Sequence, residues 1–212
     1  MEILVKSVKQ STEIRQAALV EAALRLTAQR SPADITSGNL AQAVGITQGA
    51  VFRHFSSKEA VWLAVLDWIA DTLMRRLQSA ADAELAKLDK LATLAALQAV
   101  FMAHVDFVVV HPGVPRVIFQ ELQHAQDTAL KARVRSLMQQ YRRLLMGLLE
   151  RAQAQRLLAP GTDPEAAAVM FVGSVQGLVM QSLISGEVRA MAQQAPGVFK
   201  IYLRGITLRE TP

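Results

Sequence analysis

Apolar residues along this chain return at intervals of three and four, and they almost nowhere alternate strictly with polar ones, which is the period of a helix and not of a strand. The pattern predicts an all-α protein. A first helix is expected over residues 12 to about 30, with Ile14, Ala17, Ala18, Glu21, Ala22, Leu24 and Leu26 on its inward face. Ser31-Pro32 stops it, because the residue before a proline avoids the helical region. Two short helices follow. Thr36 or Ser37 caps the second, Gly45 ends it at a position free of a Cβ penalty, and Thr47 caps the third. Ser56 or Ser57 caps a fourth that runs from Lys58 towards Gln78 or beyond.

Residues 79–90 are polar and alanine-rich and form the one plausible seam, although they are compatible with continued helix. Beyond them a long apolar helix extends to about Val110 and is broken by His111-Pro112-Gly113. A shorter helix carries Val117 to His124, and a basic amphipathic one covers residues 127 to about 158. After Pro160-Gly161, Thr162 or Asp163 caps a helix with Pro164 at its first position, reaching Ser185-Gly186. A last helix is expected after Pro196.

Composition narrows the picture. With 51% hydrophobic and 19% charged residues, the 212-residue chain has ample material for a buried core. It contains no cysteine, which excludes disulfides, thiolate metal sites and cysteine nucleophiles. Residues 1–10 are mixed and charged, without the apolar run of a secretion signal, so a cytoplasmic protein is expected. Two apolar stretches, residues 91–110 and 166–184, are interrupted by Gln98, His104, Asp106, Gln176 and Gln181, and read as buried helices rather than membrane spans. The formal net charge of +5 favours an acidic partner, of which nucleic acid is the commonest.

The segment DITSGNLAQAVGITQGAVFRHFSSK, residues 34–58, carries the chemistry. Leu40, Ala41, Val44, Ile46, Val51 and Phe55 are spaced so that two short helices bury one small core, with Gly45 at the turn between them. The expected exposed remainder is Thr36, Ser37, Thr47, Gln48, Gly49, Ala50, Phe52, Arg53, His54 and Lys58, and no acidic residue lies between Asp34 and Glu59. A surface laid against phosphates has this make-up. In a helix-turn-helix, Gln48 stands where an amide can read adenine N6 and N7. Gly49 and Ala50 let the helix sit deep in the groove. Thr36, Thr47, His54 and Lys58 suit phosphate oxygens.

The stretch resembles the tetracycline-repressor (TetR) family of one-component regulators. The resemblance rests on Ile35-Thr36, Leu40-Ala41, Val44-Gly45-Ile46-Thr47-Gln48-Gly49, Val51-Phe52-Arg53-His54-Phe55 and Ser57-Lys58-Glu59-Ala60, with Ala22-Ala23-Leu24-Arg25-Leu26 ahead of them. It covers about the first 70 residues. Family members usually carry Arg or Lys where this chain has Gly38 and Tyr where it has Phe52, so two phosphate contacts are absent here. Phe52 can still touch a thymine methyl, and Lys6, Lys9 and Arg15 of the N-terminal region are candidates for compensating backbone contacts.

The resemblance implies an arm over residues 1–10, a three-helix DNA-binding domain over 11–70 with its helix-turn-helix at about 36–55, and a ligand-binding and dimerisation domain over 71–212. It implies a homodimer on a palindromic operator, paired through the last two helices. There Val169, Met170, Val172, Gly173, Ser174, Gly177 and Met180 combine apolar contact with small residues. It also implies a pocket among the middle helices, for which Phe101, Met102, His104, Val105, Phe107, Phe119, Met138, Tyr141 and Gln176 are the candidates. Such a pocket suits an apolar or amphipathic small-molecule effector and no other cofactor. No metal is expected, since His104 and Asp106 diverge on a helix and His111 sits at a helix end.

No Ser-His-Asp set, paired carboxylates, P-loop or dinucleotide fingerprint is present, so catalysis is not expected. An alternative keeps the fold and changes the output: a helix-turn-helix protein that positions a protein partner on DNA instead of regulating transcription.

Overall fold

The computed structural model describes residues 11–87 and 89–207. Among these residues nine α-helices account for nearly all regular structure, and the only β-pairing is an isolated bridge between Leu158 and Thr207. Lys6 and Lys9 lie outside the described residues.

The first three helices form a small head. Helix α1 (Thr12–Thr27) is capped by the Ser11 side chain and ends three residues before the predicted stop. Its buried face is Leu19, Val20, Ala22, Ala23 and Thr27; Ile14, expected inside, is 56% exposed. Helix α2 (Ser37–Val44) starts with a capping box in which Thr36 and Asn39 satisfy each other's backbone groups. It ends at Gly45 in the left-handed conformation, φ 71°, where a Cβ would be penalised. Thr47 caps α3 (Gln48–His54), and Ser57 caps α4 (Lys58–Leu85). Helix α4 begins in the head, where Val61, Trp62 and Val65 are buried, and continues without a break into the body. A division near residue 70 therefore falls inside a continuous helix.

The body comprises α5 (Ala92–Val110), α6 (Val114–Gln123), α7 (Ala129–Ala154), α8 (Pro164–Ser185) and α9 (Ala190–Ile206). Helix α5 packs against α4, α7, α8 and α9. Helices α5 and α8 are long and apolar enough to cross a membrane by length and composition. Here Val100, Phe101, Val105, Phe171 and Val175 instead pack into a protein core. At its centre Phe101 lies 5.3 Å from both Phe171 and Phe199 between ring centroids, in edge-on and tilted geometries that aromatic quadrupoles favour.

Helix α9 corrects the sequence reading. It begins at Ala190, six residues ahead of Pro196, which sits inside the helix. Proline removes one backbone donor, but Met191 and Ala195 are buried and anchor the turn that precedes it. Tertiary packing outweighs the local signal.

Candidate nucleic-acid interface and ligand cavity

Helices α2 and α3 meet through Leu40, Ala41 and Val51, all buried, with Val44 and Ile46 partly buried beside them. That packing leaves Thr47, Gln48, Gly49, Phe52 and Arg53 exposed on α3 and its cap, Phe52 to 46%. Ala50 is the exception among the predicted surface residues. It is only 7% exposed, in the first turn of α3.

Several of the polar residues are held by named partners, whereas the half-buried His54 ring keeps Nδ1 without one. Gln48 Nε2 donates to Ser37 Oγ at 2.8 Å, joining the start of α3 to the first turn of α2. One amide proton and the carbonyl oxygen of Gln48 stay available, which is what a bidentate contact to adenine requires. Thr36 and Thr47 spend their hydroxyl oxygens on capping, at 3.1 Å to Asn39 N and 3.3 Å to Ala50 N. Lys58 Nζ donates to the Ala33 carbonyl at 3.3 Å, and the His54 carbonyl accepts from Gln16 at 2.7 Å. Gly38 has room for a Cβ, with Thr36 Oγ1 at 3.5 Å from its ideal position, so the missing cation is not imposed by crowding.

In the body a cavity of about 70 Å³ lies between α4, α5, α6, α7 and α8. Six predicted pocket residues line it: His104, Phe107, Phe119, Met138, Tyr141 and Gln176. Phe101, Met102 and Val105 do not. Phe101 belongs to the aromatic core with Phe171 and Phe199, Val105 is 1% exposed, and Met102 packs against that core. Ile69 and Leu73 of α4, Val114, Pro115, Ile118 and Leu122 of α6, and Val172, Val175 and Val179 of α8 complete much of the wall. Sequence reasoning missed them, since aliphatic residues at helical spacing look alike whether they bound a cavity or fill a core.

His104 Nδ1 lies 3.0 Å from Tyr141 Oη, with the rings edge-on. Burial lowers the His104 pKa to about 4 and pushes the Tyr141 phenol up, the latter reinforced by Tyr202. His111 sits apart from this pair, edge-on to Trp68 at 5.0 Å, and burial followed by the charge of Arg76 lowers its pKa.

Helix α6 joins the cavity to the head. Arg116 Nη1 donates to the carbonyl oxygens of Thr27 at 3.1 Å and Ala28 at 2.9 Å, satisfying the last turn of α1. Gln120 Oε1 accepts from Ala33 N at 3.1 Å. A Cβ at Gly113 would fall 2.1 Å from Thr27 Oγ1 and 2.7 Å from Ala28 N, so the approach needs glycine.

On the outer side of α8, Val169, Met170, Met180 and Ile184 are exposed to 71%, 55%, 47% and 72%, and Ile201 of α9 to 74%. Gly173 and Gly177 lie on the same helix with nothing within 4 Å of an ideal Cβ. Ser174 folds its hydroxyl back to the Met170 carbonyl at 2.8 Å. Val172, grouped with this face from the sequence, lines the cavity and, with Val169 and Gly173, a neighbouring groove between α7 and α8.

A capped, acid-free helix-turn-helix on a helical body defines a DNA-binding regulator. Residues 19–65 match the family model for bacterial regulatory proteins of the tetR family, and residues 91–197 match a tetracyclin repressor-like C-terminal domain. The chain belongs to the TetR family of bacterial regulatory proteins. Among curated relatives, the nucleoid occlusion factor SlmA of Haemophilus ducreyi is 28% identical over 134 residues, 63% of each chain, so the match spans less than two thirds of that relative. SlmA of Glaesserella parasuis is 27% identical over 83% of this chain and 84% of its own. The fatty acid degradation regulator FadR of Bacillus halodurans superposes with a TM-score of 0.78 at 18% identity, covering 96% of this chain and all of that one. The ketosteroid transcriptional regulator KstR2 of Mycobacterium tuberculosis gives 0.71 at 20% identity, covering 98% and 100%.

Proposed function

We propose that this DNA-binding regulator is a cytoplasmic, ligand-relieved repressor that acts as a homodimer on a palindromic operator and carries out no catalysis. The observation that supports it most directly is the two-sided use of α6. One side supplies Val114, Pro115, Ile118 and Phe119 to the cavity, and the other holds α1 through Arg116 and α1's following loop through Gln120. The space between the walls is small, so a ligand that fills it presses on α6. Movement of α6 strains its contacts to the head, so the ligand and the operator favour different arrangements. Affinity for each then falls when the other is bound.

The outer face of α8, with Ile201 of α9, suits a second copy of the chain. It is apolar, and its two glycines permit close helix approach. A two-fold dimer would present two α3 helices to half-sites about one DNA turn apart. Selection of bound fragments from random DNA, with the native upstream region as control, tests this reading. A palindrome with that spacing is expected, and a single unpaired half-site would overturn the dimeric mode.

The SlmA relatives, nucleoid occlusion factors at 27–28% identity, lend weak support to a second reading, in which DNA binding positions a protein partner. A transcription reporter carrying the native upstream region separates the two. Repression that a ligand relieves supports the first, and an unaffected promoter supports the second.

A further inference from the structure

The polar side chains in the cavity wall are three: His104, Tyr141 and Gln176. The first two share one hydrogen bond of 3.0 Å, and both rings are neutral at neutral pH. Two neutral rings joined in this way have a limited repertoire. If Tyr141 donates to Nδ1, the imidazole proton sits on Nε2 and that nitrogen is a donor. If Nδ1 donates to the phenolic oxygen, Tyr141 keeps its own O–H as a donor and Nε2 is an acceptor. In either arrangement the pair retains one unshared donor and offers no positive charge.

The surroundings supply none either. Among the described residues no Lys or Arg lines the cavity. An adjoining groove between α7 and α8 shares Met138, Tyr141, Val172 and Gln176 with it and carries Arg142. That guanidinium stands outside the cavity in a solvent-exposed ion pair with Glu165 at 2.9 Å, where water screens its charge. An ionised ligand would lose its water and meet no free opposite charge, which is strongly unfavourable. A neutral oxygen, by contrast, satisfies the retained donor while hydrocarbon fills the remainder.

We propose that the cavity is a receptor for an uncharged, mainly hydrocarbon compound bearing a carbonyl or hydroxyl oxygen, which the His104–Tyr141 pair hydrogen-bonds, and that it discriminates against ionised acids. The inference rests on the effector role proposed above and names the chemical class of that effector. Gln176, at the exposed edge of the wall, gives a longer ligand a second polar contact.

The test compares 2-nonanone, 1-nonanol and nonanoate at neutral pH, using the full chain and isothermal titration. Trp68 emission gives a second readout, because its ring stacks 6.3 Å from that of Phe107 in the wall. The ketone or the alcohol is expected to bind at least about tenfold more tightly than nonanoate. Tyr141→Phe and His104→Phe each remove one of the two groups that can hold the retained donor, and at least one of them should weaken that binding about fivefold to tenfold. The proposal is overturned if nonanoate binds as well as the uncharged probes, if neither uncharged probe binds, or if Tyr141→Phe and His104→Phe both bind like the parent. A gel-shift arm tells this inference from the function it rests on. Uncharged probes that bind with the stated preference but leave operator DNA bound uphold the receptor chemistry and remove the effector role. Nonanoate that binds best and releases DNA does the reverse.

Discussion

Arg116 hydrogen-bonds the carbonyl oxygen of Thr27 at 3.1 Å, so the C-terminal turn of the first helix of the head is closed by a side chain from the body. Its second bond, to Ala28 at 2.9 Å, makes the contact a fork across two orphan carbonyls. Arg116→Ala is expected to lower stability by about 2 kcal/mol, the range for charge-assisted hydrogen bonds. It should also blunt effector-driven release of DNA while leaving effector affinity close to that of the parent. Urea unfolding and gel shifts with and without effector check both parts. An unaltered release curve would show that the signal takes another route.

Gly113 makes the same junction sensitive to a single carbon. Gly113→Ala places a methyl group against Thr27 Oγ1 and the Ala28 main chain, which cannot swing aside. Overpacking of this kind costs about 1–3 kcal/mol. Thermal unfolding should show the loss, and Gly147→Ala, where an ideal Cβ meets nothing within 4 Å, should not.

In the head, Gln48→Ala is expected to lose about 1–3 kcal/mol of sequence preference, as for a lost bidentate base contact. Because Ser37 Oγ holds the Gln48 amide at 2.8 Å, Ser37→Ala should relax preference at the same base pair and leave random-sequence binding intact. Lys58→Ala, in contrast, should weaken all sequences alike and flatten the salt dependence. Binding measured on operator and random DNA over a salt series separates these roles, and equal losses on both for Gln48→Ala would count against base reading.

His104 makes stability depend on pH in a defined direction. Its folded pKa of about 4 lies below the ordinary histidine value of 6.5, so the unfolded chain binds more protons between those limits. The stability is fully present above pH 6.5, declines as pH falls through that value and levels off near pH 4. The loss is about 3 kcal/mol at most, reduced by whatever water the cavity admits. His111, also lowered, acts in the same sense. Urea unfolding from neutral to acid pH should therefore show a smaller acid loss for His104→Gln than for the parent, and parallel curves would contradict the assignment.

On α8, Gly173→Leu and Val169→Glu should each shift the chain from dimer to monomer in sedimentation at low concentration. One adds bulk at the close approach and the other buries a charge. Dimers that persist in both variants would move the interface elsewhere.

Local rules made the head legible. Thr36, Gly45, Thr47 and Ser57 cap and end helices through atoms a few residues away, and each stands where the sequence indicates. The exposure of Ala50 was misjudged because a one-carbon side chain gives no clue to its facing. In the body, His104, Tyr141 and Gln176 were visible as polar groups in apolar helices, whereas the aliphatic wall from α4 and α6 was not. The contact of Arg116 with Thr27 joins positions 89 residues apart and has no local signature at all. Pro196 misled for the opposite reason: a strong local signal was overridden by the burial of Met191 and Ala195.

The unbroken run of α4 turns small rotations into usable distances. Its 28 residues make a rod about 42 Å long at the usual helical rise. A tilt of about 5° about its middle, where Ile69 and Leu73 line the cavity, would swing the head end at Lys58, about 17–23 Å away on this rise, through roughly 1.5–2 Å. One base pair of DNA occupies about 3.4 Å of helix axis. When the two heads of the proposed dimer move in opposite senses, a rearrangement smaller than the thickness of an aliphatic side chain in each thus changes the spacing of the recognition helices by about one base step.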